Sequence, residues 1–149
     1  MPLIQTKYFG CVEYPEESVI EFPSGLPGFE NERRFVILEQ PENKPLVFLQ
    51  SLSLSSLCFL ALPVLTVDPG YQTAISPEDL AALELPEDRQ PLIGRDVLCL
   101  ALVSLAEGRP PTANLLAPLV VHLKTRRGLQ AIQSESGYSH QHPLLEGTC

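Results

Sequence analysis

Side chains that can carry chemistry are scarce in this sequence. Histidine, which moves protons near neutral pH and ligates metals, occurs only as His122, His140 and His142. His122 lies within an apolar run that reads as a strand. His140, His142 and Cys149 would be the one conceivable metal set, but they crowd into a short stretch without neighbours to orient them. Cys11, Cys58, Cys99 and Cys149 stand far apart, and none forms the Cys-x-x-Cys pair of a zinc or redox site. Cys58 and Cys99 sit in apolar runs and are expected in the core, whereas Cys149, the last residue, is expected to be free. The carboxylate pairs Glu16-Glu17 and Glu87-Asp88 fall in turn-like segments, where adjacent acids usually serve solvation. Gly-x-Gly-x-x-Gly, Gly-x-x-x-x-Gly-Lys-Ser/Thr and Gly-x-Ser-x-Gly are all absent. No cofactor, no metal and no enzyme activity are expected.

Charge points instead to binding. The net charge is -8, which repels phosphate and argues against a direct nucleic-acid ligand. Glu13, Glu16, Glu17, Glu21, Glu30, Glu32, Glu39 and Glu42 crowd a stretch that holds only Arg33 and Arg34 as bases. Two readings stay open: an ordinary solvated face, or a surface that steers a cationic protein partner.

The elements that would position such a surface are short. At 149 residues the chain suits one hydrophobic core, and 15 prolines with 9 glycines leave little room for long helices. No run of about 18 apolar residues appears, and residues 1–7 lack the apolar stretch of a secretory signal, so a soluble cytoplasmic protein that meets no membrane is expected. Ser18–Phe22 and Arg34–Leu38 read as strands flanking a Pro- and Gly-rich turn, Pro23–Gly28. Leu46–Gln50, Leu57–Leu62 and Asp96–Ser104 have the continuous apolar character of strands buried on both faces. Ser51–Ser56 alternates at period two and reads either as a strand extension or as a loop with two tucked leucines. Ser76–Leu83 is the clear helix, with Ser76 as N-cap, Pro77 at the first helical position and Glu78 and Asp79 in the first turn. Leu119–Leu123 and Leu129–Gln133 read as a terminal hairpin across Thr125–Gly128, with Gly128 available for a positive φ. The fold class is mainly β: a small antiparallel, β-barrel-like single domain with one or two short helices, spanning residues 1–145 and followed by a tail at 146–149.

Several spaced segments together resemble the FliW family: Gly25-Leu-Pro-Gly-Phe29, Leu49-Gln-Ser51, Phe59-Leu-Ala-Leu-Pro63, Tyr71, Thr112-Ala-Asn-Leu-Leu-Ala-Pro-Leu-Val-Val121, Gln130, Tyr138 and His142-Pro-Leu144. The resemblance runs from about Ile4 to Leu145, and Thr112–Val121 is its most specific piece. It implies a β-barrel-like bacterial protein with two partners, flagellin and the basic RNA-binding translational repressor CsrA. In the family, binding of CsrA relieves repression of flagellin translation, and free flagellin competes for the same protein. The sequence departs from the family pattern at Leu62, where an acid usually precedes the proline, and at Gly70, where a polar residue is common.

Leu26, Pro27, Phe29, Glu30, Gln50, Tyr71 and Asn114 are the candidate partner-binding residues. Each also has a structural reading. The Gly25–Phe29 turn can simply anchor one aromatic, Asn114 can satisfy local backbone, and Gln50 and Gln130 can pair with backbone or with each other. Tyr71 suits either the core or an interface. The free protein is expected to be monomeric. The rival reading is a small-molecule-binding barrel whose pocket is lined by the Gln50, Asn114 and Gln130 amides.

Overall fold

The computed structural model describes residues 2–134 and 136–144. Its strands are β1 (Leu3–Thr6), β2 (Gly10–Glu13), β3 (Ile20–Glu21), β4 (Arg34–Glu39), β5 (Val47–Ser51), β6 (Cys58–Pro63), β7 (Val97–Ser104), β8 (Thr112–Ala113), β9 (Leu119–His122), β10 (Gly128–Gln130) and β11 (His142–Pro143). Two short helices, α1 (Val64–Val67) and α2 (Pro77–Ala82), lie between β6 and β7. Every ladder between these strands is antiparallel, and the main sheet runs β3-β4-β5-β6-β7-β9-β10, with β8 joining the far end of β7 to β11. β1 and β2 form a separate hairpin.

The double burial expected of the central strands is realised best in β7, which has a core on each face, whereas β6 is fully buried only at Ala61. Successive side chains point to opposite faces, so Leu98, Leu100 and Leu102 of β7 join Ile20, Phe22, Phe35, Leu49, Ala61 and Val121 on the inner face. Val97, Cys99 and Ala101 face the other way and pack with Val64, Leu80, Leu83, Leu115 and Val120. Helix α2 supplies Leu80 to this outer core, and its start is as expected: the Ser76 hydroxyl accepts the Asp79 N–H at 3.1 Å, with Pro77 next in line.

The sheet curls without closing. Its edge strands share no continuous ladder; they meet where the Glu21 N–H donates to the Arg126 carbonyl at 2.9 Å, beside a single bridge between Glu21 and Arg127. The Arg126 guanidinium adds a bond to the Ser18 carbonyl at 3.1 Å. Barrel-like therefore describes the curvature and not the hydrogen bonding.

Three expectations need correction. The terminal hairpin forms, but its second strand is β10 and not Leu129–Gln133; beyond Gln130 the chain only touches back through Ala131 N–H to Pro118 O and Gln133 N–H to Leu116 O. The positive φ in its turn belongs to Arg126, at 62°. Gly128 is needed for space instead: a Cβ there would lie 2.9 Å from the Phe22 ring and 3.1 Å from the Val120 carbonyl oxygen. Of Ser51–Ser56, Ser51 ends β5 and the rest is a loop, yet Leu54 is 41% exposed and so is not tucked in.

Gly128→Ala is expected to destabilise the fold by about 1–3 kcal/mol, because neither the Phe22 ring nor the β9 backbone can retreat. A urea midpoint within error of the parent's would show that the seam is looser than this packing implies.

Candidate functional site

The turn between β3 and β4 is built by its own sequence. Pro27 and Gly28 hold the two central positions between Leu26 and Phe29, with Gly28 at φ 85°, the combination that a type II turn requires. The Phe29 N–H donates to the Leu26 carbonyl at 2.7 Å and closes it. The chain then doubles back so tightly that a Cβ on Gly25, itself at φ 68°, would lie 2.5 Å from the Glu30 Cα. The Glu30 carboxylate accepts the Gly28 N–H at 2.9 Å, and this bond, with a second from its own amide, lowers its pKa from the ordinary value.

Leu26, 3% exposed, plugs the turn from below, while Pro27, Gly28, Phe29 and Glu30 face solvent. Phe29 does both. It is 37% exposed, and its ring meets Phe59 edge-on at 5.5 Å. From there Phe59 to Phe35 (6.1 Å) and Phe35 to Phe22 (5.6 Å) make an aromatic row running to the seam. Next to the turn, the Ser51 hydroxyl donates to the Glu32 carboxylate at 3.2 Å, and the Ser53 hydroxyl donates to the same oxygen. The Ser51 oxygen accepts the Leu54 N–H at 3.0 Å, so the loop after β5 is tied to the turn's exit.

The other expected contacts lie elsewhere, inside the protein. Gln50 is fully buried; its amide donates to the Ser51 and Ser55 carbonyls at 3.0 and 3.2 Å. Asn114 accepts the Ala117 N–H at 2.9 Å, and the Gln130 amide donates to the Ala117 carbonyl at 3.0 Å. The two glutamines thus bond to backbone and not to each other. Tyr71 is 5% exposed, donates to the Leu115 carbonyl at 2.8 Å and stacks on Tyr138 at 4.4 Å between centroids. Burial pushes its phenol pKa up. Leu26, Gln50 and Tyr71 therefore offer no side chain to a partner, and Asn114 is engaged by its own turn. Among the described residues, clefts of about 380 to 460 Å³ are lined by residues other than the Gln50, Asn114 and Gln130 amides of the rival reading.

Two glutamines that sequence reasoning passed over hold an extended segment, residues 72–75, without a partner strand. Gln133 donates to the Tyr71 hydroxyl and accepts the Ala74 N–H, while Gln90 accepts the Ile75 N–H at 2.8 Å and donates to its carbonyl at 3.0 Å. The sequence carries no signal for either, since Gln90 follows Glu87, Asp88 and Arg89 and Gln133 precedes Ser134 and Glu135 in polar stretches.

Among the described residues, no three metal-binding side chains gather, and Cys149 of the conceivable metal set lies outside them, as does the tail. No helix among them is long and apolar enough to cross a membrane. Cys99 is buried in the outer core as expected, with its thiol pushed up to about 12; Cys58 is only half-buried, with its thiol pushed up to about 11.

The fold and this turn define a mainly antiparallel β protein whose Gln50, Asn114 and Gln130 amides bond its own backbone and whose preformed turn presents an aromatic to solvent. The chain belongs to the FliW family, whose model, described as FliW protein, matches residues 3–144. Relatives named flagellar assembly factor FliW include those of Syntrophomonas wolfei, 33% identical over 99% of this chain and 91% of its own length, and Bacillus subtilis, 32% identical over 99% of each. That of Desulfitobacterium hafniense strain Y51 is 36% identical over 95% of this chain and 90% of its own. A crystal structure of the flagellar assembly factor FliW superposes with a TM-score of 0.84 at 30% identity, covering 99% of this chain and all of that one.

Phe29→Ala is expected to lower stability by about 1–2 kcal/mol in urea titration, less than the 3–5 kcal/mol of a fully buried phenylalanine, because part of the ring already faces water. A loss in the full-burial range would mean that Phe29 is closed off in solution. Mass-spectrometric alkylation at pH 8 is expected to modify Cys11 before Cys58 and Cys58 before Cys99: Cys11 is exposed, and the two raised thiols hold little thiolate below their pKa values. Labelling of Cys99 before Cys58 would contradict the outer core's packing.

Proposed function

We propose that this chain is a cytoplasmic flagellar assembly factor that binds flagellin and the basic RNA-binding repressor CsrA, relieves repression of flagellin translation and performs no covalent chemistry. The carrying observation is the exposed turn Pro27–Glu30 in a chain of net charge -8. A repressor that binds RNA needs a basic surface, and long-range attraction between opposite surfaces raises the rate of encounter. The turn then supplies short-range contact at low entropic cost. Its backbone is closed by the Leu26–Phe29 bond and the Glu30–Gly28 bond, so little ordering is left for association to impose on Pro27, Phe29 and Glu30. In this reading the free protein is a monomer, and flagellin and CsrA compete for it directly or through linked sites.

Calorimetric titration into purified CsrA tests the reading, at low and high salt and again after saturation with flagellin. Affinity is expected to fall as salt rises, because the Debye length shrinks from about 10 Å at 0.1 M to about 3 Å at 1 M. Flagellin is expected to suppress the heat, and Phe29→Ala to weaken binding while the fold persists. Salt-independent affinity would remove electrostatic steering; absence of a complex with either partner would overturn the proposal.

A further inference from the structure

Residues 72–75 are strand-like backbone that belongs to no ladder. The N–H groups of Gln72 and Ala74 turn one way, to the Tyr138 hydroxyl at 3.0 Å and to the Gln133 side chain, while that of Ile75 turns to Gln90. Alternate residues of an extended chain direct their backbone groups to opposite sides, so Thr73 shares the side of Ile75. On that side Gln90 stands in for a residue of a neighbouring strand. Its side-chain oxygen accepts the Ile75 N–H at 2.8 Å, and its nitrogen donates to the Ile75 carbonyl at 3.0 Å. An antiparallel ladder offers its next paired position two residues on, which is Thr73. Among the described residues neither the N–H nor the carbonyl of Thr73 has a partner.

The space beside this open position is a cleft of about 460 Å³, which Thr73 and Gln90 line together with Leu65 of α1, Pro91 and Leu92. Leu65 and Leu92 are 40% and 54% exposed, and no charged side chain lines the cleft. The backbone selects what fills it. A helix keeps its amides for itself and would cover Thr73 without bonding it, and a covered, unpaired amide opposes association. An extended segment instead brings N–H and C=O groups that match the open position, and its side chains can rest on Leu65 and Leu92. That segment must be uncharged, because a charge would lose its water there and meet no opposite charge.

We infer that residues 72–75 are a docking edge for an extended, uncharged segment of a protein partner, which pairs with Thr73 and lays apolar side chains on Leu65 and Leu92. Gln90 ends the ladder on one side of Thr73. On the other side the Tyr71 N–H is already bonded to the Asp68 carbonyl at 3.0 Å, so the paired stretch is short. The edge shares no residue with the Pro27–Glu30 turn, and it stands whether or not that turn binds anything.

The test titrates the whole protein with seven-residue peptides blocked at both ends and follows amide chemical shifts and hydrogen exchange. Three peptides alternate threonine with leucine, valine or phenylalanine. Each has a series in which one backbone nitrogen at a time is methylated, which removes a donor and keeps every side chain. In the free protein the Thr73 amide is expected to exchange faster than that of Ile75. At least one peptide is expected to saturate, to shift Leu65, Thr73 and Leu92 and to protect the Thr73 amide, and methylation at the pairing nitrogen is expected to weaken it about fivefold. Thr73→Pro removes the N–H while suiting an extended backbone, and is expected to weaken binding by a similar factor with an unchanged circular dichroism spectrum; should that variant unfold, the methylated series on the parent protein decides. No saturation by any of the three peptides, shifts confined to other surfaces, or equal binding by every methylated peptide would overturn the inference. So would a Thr73 amide already protected in the free protein, or a dimer in sedimentation that Leu92→Asp dissociates.

Discussion

The approach of β3 to the β9–β10 hairpin is the constraint on which the rest of the structure depends. A strongly twisted sheet of seven strands can stay open or curl on itself, and here it curls because Phe22 fits onto Gly128, where any side chain would collide. Once that ring is seated, Glu21 reaches the Arg126 carbonyl and the inner core closes around Phe35, Leu49, Leu100 and Leu119. Phe35 and Phe59 pass this packing along to Phe29 at the surface. The exposed turn therefore inherits its position from a contact at the seam.

Polar side chains inside the protein follow from the same economy of strands. With residues 72–75 and 114–117 outside the ladders, their backbone groups need other partners, since an unpaired buried amide costs about 1–3 kcal/mol. Gln133, Gln90 and Asn114 provide them. Tyr71 ties two such segments together through the Leu115 carbonyl and Gln133. These amides and phenols are structural fasteners, which explains why a polar residue in an apolar strand was a misleading sign of a binding site.

Much of the fold was legible because double burial writes itself as continuous apolar sequence: β4, β5, β6, β7 and β9 fall where such runs lie. Helix α2 was legible from Ser76, Pro77 and Asp79 alone. The β1–β2 hairpin was not, because Leu3–Glu13 has mixed polarity and its reversal uses a Thr6 hydroxyl that donates to the Gly10 carbonyl, a device without a dipeptide signature. Helix α1 was hidden by Val64, Thr66 and Val67, β-branched residues that favour strands. Of the candidate contacts, the turn residues could be read from Pro27 and Gly28, whereas the burial of Gln50 and Tyr71 depends on neighbours distant in sequence.

Some acids of the acidic stretch serve the fold, Glu30 by accepting the Gly28 N–H and Glu32 by accepting the Ser51 and Ser53 hydroxyls, but few are offset by bases. Among the described residues the ion pairs are Arg34 with Glu16 at 3.2 Å and Arg127 with Glu84 at 3.9 Å, each between side chains about half exposed or more. Exposed pairs of this kind contribute about 0–1 kcal/mol. Like charges concentrated on one chain also repel, so the excess of acids weakens the folded state slightly instead of supporting it. The net charge of -8 left uncompensated is available to act at a distance. In the proposed reading it draws a basic partner before any side chain touches and leaves short-range selection to shape, at an apolar ring on a rigid turn.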